Sequence, residues 1–317
     1  MILLLISEAA ALDVVATLPW IGDLSQRVAP EAKVLVLAGG NEDPHRLSPT
    51  PALMAKVGQA DVYAEVGLSL ELWSERLLDG AGNPNIRPGA PGYVRVSDGV
   101  PRLQVPTDLS RAQGDLHPEG NPHIWTDPLN AAIAADNLAA AFGRVDPANA
   151  GTYSANAEAF RSEVYVRLFG EELVVFMGGA SLEKLARAGR LDEFLAEKGL
   201  SDKLGGWLGE ATRGQELVFY HPSWAYFVDR FAVDLVGTIE DKPGVPPTAA
   251  HKDQLAAAIT REGVETIAIT SYYPDRVAKA LAEDAGASLV IVPSDVGGTA
   301  AATDYFALID TLVRDLL

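Results

Sequence analysis

The sequence predicts an α/β protein with two parallel-sheet lobes that are bridged by one long helix. Short apolar runs alternate with segments of helical periodicity, which is typical of parallel sheets built from βα units. The apolar runs fall into two groups, and a long segment with a 3.6-residue apolar period separates them. At 317 residues, the chain is long enough for two domains of ordinary size.

The predicted elements follow from these runs in chain order. The predicted strands are 12–17, 33–39 and 61–67 in the first group, then 217–221, 235–239, 266–270 and 289–293 in the second. Pro147 suits the first turn of the bridging helix. The predicted organisation is a signal-like segment 1–11, an N-terminal lobe 12–146, a linker helix 147–175 and a C-terminal lobe 176–317 that carries a helical insertion 176–210.

The start of the chain, MILLLISEAAA, resembles the end of a secretory signal peptide because an apolar run precedes small residues. It lacks a basic segment, and its apolar core is shorter than the ~7–15 residues of such signals. We interpret it as a shortened signal, with the mature protein starting near Leu12. The alternative is a cytoplasmic protein with an apolar first strand.

Composition excludes several classes of partner and site. The formal net charge of −18 repels phosphate backbones and anionic lipid, so we expect no nucleic-acid or membrane-surface partner. The sequence contains no cysteine, so we expect no disulfide, thiolate zinc site, iron–sulfur cluster or lipid on a cysteine. A bound metal must therefore use histidine nitrogen and carboxylate oxygen.

Three of the five histidines lie where a ligand crevice is expected. His221 ends a predicted strand, His45 lies in the loop after another, and His123 directly precedes a predicted helix. The loops at the carboxyl ends of parallel strands converge on the binding crevice of open α/β sheets. A proline adjoins each histidine and restricts the backbone there. We therefore expect the three imidazoles to meet between the lobes.

A fourth ligand could come from Asp295, which follows the last predicted strand. Three imidazoles and one carboxylate form a closed site that suits Zn²⁺ and could also hold Mn²⁺. A closed site carries or stores its metal, whereas a catalytic zinc keeps a position for water. His117, six residues before His123 in a Gly/Pro-rich loop, is a candidate residue for metal capture.

Two other functions compete with metal carriage. One is a three-histidine zinc hydrolase with water at the fourth position, for which Asp295 or Glu240 would be the general base. The other is an interaction protein that uses the metal structurally. The sequence has no H-E-x-x-H, G-x-S-x-G or Walker A motif.

Several segments together resemble the solute-binding proteins of zinc and manganese ABC transporters, the ZnuA/TroA-like group. The segments are LDVVATLPWIGDLSQRVA, EDPHRLSPTPALMAKVGQADVYAEVGLSLELW, GNPHIWTDPLN, HPSWAYFVDRFAVDLVGTIEDKPGVPP and VPSDVGGTAAATDYFALIDTL. The resemblance implies a TroA-like metal receptor in which one long rigid helix bridges two α/β lobes. It implies His45, His123 and His221 as ligands. Asp295 or Ser294 would occupy the family's acidic position, with Glu240 or water completing the shell if Ser294 does.

The resemblance also implies a function without catalysis. The protein would be a soluble, periplasmic monomer that captures Zn²⁺, or Mn²⁺, and delivers it to the permease of an ABC transporter. The long His/Asp-rich loop of many zinc-specific members is reduced here to a short segment with one histidine, His117.

Overall fold

A computed structural model describes residues 11–108 and 117–317 and shows two four-stranded parallel sheets. Most of the predicted signal-like segment, residues 1–10, lies outside the described residues. The strands are β1 (Asp13–Ala16), β2 (Lys33–Val36), β3 (Val62–Glu65), β4 (Tyr93–Arg95), β5 (Glu216–Phe219), β6 (Asp234–Thr238), β7 (Thr266–Thr270) and β8 (Ser288–Val292).

Both sheets have the same strand order, β2-β1-β3-β4 in the N-terminal lobe and β6-β5-β7-β8 in the C-terminal lobe. Neighbouring strands in these sheets pair in parallel. The predicted fold class is confirmed, and each predicted strand has a counterpart. The sequence prediction missed β4, because three residues with a single buried valine show no apolar run or alternation.

The α-helices of the described residues surround these sheets and join them. In chain order they are α1 (Pro19–Val28), α2 (Pro51–Val57), α3 (Ser74–Ala81), α4 (Pro128–Val145), α5 (Ala150–Phe169), α6 (Glu171–Met177), α7 (Gly179–Arg187), α8 (Leu191–Lys198), α9 (Gly206–Glu210), α10 (Ala225–Phe231), α11 (Ala249–Glu262), α12 (Arg276–Ala285) and α13 (Tyr305–Leu316). No helix in the described part of the chain is long and apolar enough to cross a membrane.

The linker helix α5 is shorter than predicted. Its 20 residues span about 30 Å, with the predicted apolar stripe buried. Pro147 lies in a separate 3₁₀ turn before the helix. The helix ends at Gly170 instead of continuing to residue 175, because Gly170 has a φ of +84° and approaches the backbone of Gly205 closely. The domain boundaries around it remain a prediction.

One hydrophobic core runs through both lobes and holds them together. It includes residues of β1 and α1 in the N-terminal lobe and of α13 in the C-terminal lobe. Phe306 of α13 stacks on Phe160 of the linker helix, with ring centroids 5.1 Å apart. The guanidinium groups of Arg27 and Arg167 lie 4.6 and 4.4 Å from the Phe306 ring centroid. This packing fixes the crevice between the carboxyl ends of the two sheets.

Candidate metal site

Four histidine rings meet at the carboxyl ends of the two sheets. They are the three predicted ligands, His45, His123 and His221, together with His117. The centroid of the His45 ring lies 5.2 Å from that of His117, 5.6 Å from that of His123 and 6.2 Å from that of His221. The His123 and His221 rings are 5.9 Å apart. The structure thus brings together both lobes' histidines and adds a fourth.

His45 lies on a one-turn 3₁₀ helix, Pro44–Arg46, in the loop after β2. Asp43 caps this turn by accepting a hydrogen bond from the His45 backbone N–H at 3.0 Å. The same carboxylate oxygen lies 2.8 Å from His45 Nδ1. Burial raises the pKa of Asp43, but the hydrogen bonds and charge of His45 outweigh it, so the pKa is lowered overall. An ionised Asp43 therefore fixes the orientation of the His45 ring.

His123 is buried, with 4% of its surface exposed. Asn121 before it and Thr126 after it form hydrogen bonds with it. The side-chain oxygen of Asn121 accepts from the His123 backbone N–H at 3.0 Å and lies 2.9 Å from Nδ1. Its Nε2 atom is buried without a hydrogen-bond partner in the described structure. A buried polar atom without a partner is costly. His123 Nε2 is therefore available for a ligand that enters the crevice.

The helix after His123 begins as the sequence suggested. Asp127 accepts from the Leu129 backbone N–H at 2.9 Å and caps α4. The Thr126 hydroxyl instead donates to the His123 carbonyl at 3.1 Å. Both contacts limit movement of the segment that carries His123.

His221 lies just after β5, beside the end of β6. Because β5 and β6 pair in parallel, with Phe219 opposite Thr238, His221 and Glu240 leave the sheet side by side. The Glu240 carboxylate lies 2.7 Å from His221 Nδ1 and also accepts from the Gly244 backbone N–H at 3.0 Å. Glu240 is therefore placed to orient His221.

The four Nδ1 atoms share one feature, since each faces an oxygen. The partner of His117 Nδ1 is the Ser69 carbonyl at 3.2 Å, and the other three partners are the side chains described above. A carbonyl or carboxylate can only accept, so these contacts assign the proton to Nδ1 and leave the Nε2 lone pair free. Metal-binding histidines in proteins are oriented by outer partners of this kind.

The electrostatics of the buried rings favour the neutral form. Burial, reinforced by the neighbouring His45, lowers the pKa of His117 to about 4. Burial, reinforced by His45 and His221, lowers the pKa of His123 well below its ordinary value. Both side chains are therefore neutral at neutral pH, which is the form that binds a metal.

The imidazoles lie close together, but they do not surround a single metal position. Among the described residues, no group of three or more His, Cys, Asp or Glu side chains meets metal-binding geometry as it stands. The arrangement of the four rings around a common space shows which side chains can converge.

Asp295, the fourth predicted ligand, has a different set of contacts. Its Oδ1 atom accepts from the backbone N–H groups of Trp20 at 2.8 Å and Val296 at 2.6 Å. Trp20 is in the first turn of α1, whose own N-cap residue makes no side-chain bond, so Asp295 caps that helix from the other lobe. Burial raises the pKa of Asp295 well above its ordinary value. Its role as a ligand remains a prediction.

Ser294, the alternative at the acidic position, also has other partners. Its hydroxyl donates to the Gly40 carbonyl at 3.1 Å, and its carbonyl accepts from Trp125 Nε1 at 2.8 Å. Both contacts join the C-terminal lobe to the N-terminal lobe at the edge of the crevice.

Comparison with known proteins matches most of the chain to one family. The family model described as zinc-uptake complex component A, periplasmic, matches residues 14–165 and 199–317. The unmatched stretch between them contains α6, α7 and α8. These helices make up most of the predicted insertion.

Relatives with a stated metal differ in which metal they name. The iron-binding protein YfeA of Yersinia pestis is 30% identical over 157 residues, which cover 49% of this chain and 46% of YfeA. The manganese ABC transporter substrate-binding lipoprotein scaA of Streptococcus gordonii is 28% identical over 159 residues, covering 49% and 48%. The zinc-binding lipoprotein AdcA of Streptococcus pneumoniae is 22% identical over 277 residues, covering 87% and 48%. The matched part of this chain corresponds to about half the length of these curated relatives.

Solved structures share the fold over nearly the whole chain. A zinc-bound deletion mutant of ZnuA has a TM-score of 0.69 at 22% identity and covers 96% of this chain and 98% of its own. A mutant of the laminin-binding adhesin Lmb from Streptococcus agalactiae has a TM-score of 0.71 at 18% identity, with coverages of 97% and 100%. At these identities the likeness establishes the two-lobed α/β fold.

Proposed function

Because this chain belongs to the family of periplasmic zinc-uptake components, we propose that it captures one divalent metal ion between its lobes and delivers it to the permease of an ABC transporter. The proposal depends on one observation above all. His45, His123 and His221 converge from both lobes, and each has its Nδ1 atom bonded to an oxygen, which leaves Nε2 as the nitrogen that can bind a metal. This arrangement can hold a cargo ion across the crevice.

We propose Zn²⁺ as the cargo, with Mn²⁺ as the alternative. Neutral imidazole is a ligand that suits zinc, whereas manganese prefers carboxylate, carbonyl and water oxygen. The metals named for the relatives include iron, manganese and zinc, so these names do not distinguish between the metals. We therefore infer the cargo from the donor atoms of this chain.

Carriage accounts for the site better than hydrolysis does. A zinc hydrolase needs a general base beside the metal-bound water. The two candidates have other contacts, since Glu240 binds His221 Nδ1 and Asp295 caps α1. Relatives named as substrate-binding proteins of metal transporters also favour carriage.

We propose that the protein works as a monomer outside the cytoplasmic membrane, in the periplasm, and that its partner is a membrane permease. Support for the location comes from the matched family and from the relatives named as lipoproteins of metal transporters.

The metal content of stripped protein exposed to equal Zn²⁺ and Mn²⁺ tests this proposal. We expect about one zinc per chain, lost in His221→Ala. His251→Ala is the matched control, because His251 lies outside the cluster and its Nε2 atom faces the Thr238 carbonyl at 2.9 Å. If the protein binds manganese in place of zinc, the site is supported but its cargo is Mn²⁺. Equal metal content in His221→Ala and the unmodified protein would contradict the site.

A further inference from the structure

We infer that His117 is the fourth metal ligand, held by a left-handed turn at residues 67–69, and that the resulting four-imidazole site selects Zn²⁺ over Mn²⁺. This inference rests on the proposed function, because it names the donor set of the same site. It assigns the fourth position to His117 rather than to an oxygen of Asp295, Ser294 or Glu240.

First, His117 and His45 contact each other through their imidazole rings. Their Nε2 atoms lie 3.2 Å apart. Both Nδ1 atoms face acceptors, so the two Nε2 atoms present lone pairs to each other. That approach is favourable only when a proton or a metal cation lies between them. In a tetrahedral zinc site with bonds of about 2.0–2.1 Å, two ligand nitrogens are about 3.3 Å apart. The observed separation matches that value.

The second step is the turn that orients His117. Gly67, Leu68 and Ser69 have φ values of +80°, +57° and +61°. Leucine and serine rarely adopt this left-handed conformation, so surrounding structure must hold the turn in place. The Ser69 carbonyl faces His117 Nδ1 at 3.2 Å and thereby sets the direction of the ring.

The buried carboxyl group of Glu71 holds this turn in place. Its Oε1 atom accepts from the Val66 backbone N–H at 2.8 Å and from the Thr17 hydroxyl at 2.8 Å. Its Oε2 atom accepts from the Gly67 backbone N–H at 3.1 Å. Glu71 thus ties the start of the turn to the end of β1, in the centre of the sheet. It is a positioning residue that acts on His117 through the Ser69 carbonyl.

The third step concerns the metal that such a site selects. One oxygen of each competing side chain already has a protein partner, namely Asp295 Oδ1, the Ser294 hydroxyl and Glu240 Oε2. With His117 as the fourth donor the metal has a fourth nitrogen, whereas the family resemblance implies an oxygen as the fourth donor. Replacing an oxygen donor by imidazole weakens the binding of manganese relative to zinc.

The test combines a count of zinc-bound imidazoles with the ratio of zinc to manganese affinity. X-ray absorption spectroscopy of the zinc-loaded full chain should show four imidazoles, and three in His117→Ala. We expect that variant to bind zinc about tenfold or more weaker, and His117→Asp to move the affinity ratio toward manganese. His251→Ala should leave the count and the ratio unchanged.

Glu71→Gln tests the turn separately from the fold. Because Glu71 acts on His117 only through the Ser69 carbonyl, we expect zinc affinity to fall by less than in His117→Ala, together with a lower imidazole count. A loss of stability with the count and the ratio unchanged would show a structural role only. Three imidazoles and an oxygen in the unmodified protein would overturn the inference. If His117→Ala behaves like the unmodified protein while His221→Ala loses zinc, the inference fails and the proposed function stands.

Discussion

A buried ion pair between the lobes offers a sharp test of how the ligand segments are held. Arg230 of α10 forms two hydrogen bonds with Asp127, Nε to Oδ1 at 2.9 Å and Nη2 to Oδ2 at 2.8 Å. Both side chains are buried, with exposures of 6% and 4%. Burial would lower the pKa of Arg230, but the charge of Asp127 and its hydrogen bonds raise it. The pair joins the segment after His123 to the helix after His221.

The perturbation is Arg230→Met, which keeps the length of the side chain and removes its charge. Removing one partner of a buried ion pair costs about 3–5 kcal/mol, because the other charge stays buried without its partner. Asp127 retains the hydrogen bond from the Leu129 N–H, so we expect the lower end, about 3 kcal/mol. Zinc affinity should also fall, because the two ligand segments lose their connection.

The assay is urea unfolding of the metal-free protein, with Asp127→Asn and the double variant completing a cycle. The double variant should be less destabilised than the sum of the single variants, since neither buried charge is then left alone. A loss of less than about 1 kcal/mol in Arg230→Met, or strict additivity, would refute the reasoning, because an exposed pair behaves in that way.

Three further predictions concern the crevice. Asp295→Ala should lower the free energy of unfolding by about 1–3 kcal/mol, because the N–H groups of Trp20 and Val296 lose their acceptor, whereas Asp295→Asn should cost less than half of that. Urea unfolding measures both, and a tenfold loss of zinc affinity in the asparagine variant would instead identify Asp295 as a ligand. At pH 6, zinc binding should release at most two protons, because the lowered pKa values of His117 and His123 keep these rings neutral. Calorimetry in buffers of different ionisation enthalpy counts the protons, and three or four would contradict the prediction. Gly40→Ala should weaken zinc binding, because a Cβ atom there would lie 2.0 Å from the Val296 carbonyl oxygen of the other lobe. Gly151→Ala is its control in a zinc titration, since a Cβ atom at Gly151 meets nothing within 4 Å, and equal affinities would refute the argument.

The fold class is predictable from the sequence because strands and helices produce local patterns of apolar residues. Seven strands produced apolar runs that periodicity detects, whereas β4 is three residues long and depends on its pairing with β3. The end of α5 was missed for a similar reason. Gly170 stops the helix because of its close approach to Gly205, which is a contact between distant parts of the chain.

The three predicted histidines were accessible from sequence because parallel sheets direct their carboxyl ends to one crevice. The placement of His117 depends instead on a turn held by Glu71, and no local pattern shows that turn. The contacts of Asp295 could not be predicted from the sequence either. Its partner Trp20 is 275 residues away in the chain, so no local pattern indicates that Asp295 caps α1.

We propose that histidines from both lobes hold one ion in the crevice. The most direct test is anomalous diffraction at the zinc edge from crystals of the zinc-loaded protein. We expect one peak per chain, at about 2.0–2.1 Å from the Nε2 atoms of His45, His123 and His221. A peak bound by other residues, or none in the crevice, would contradict it.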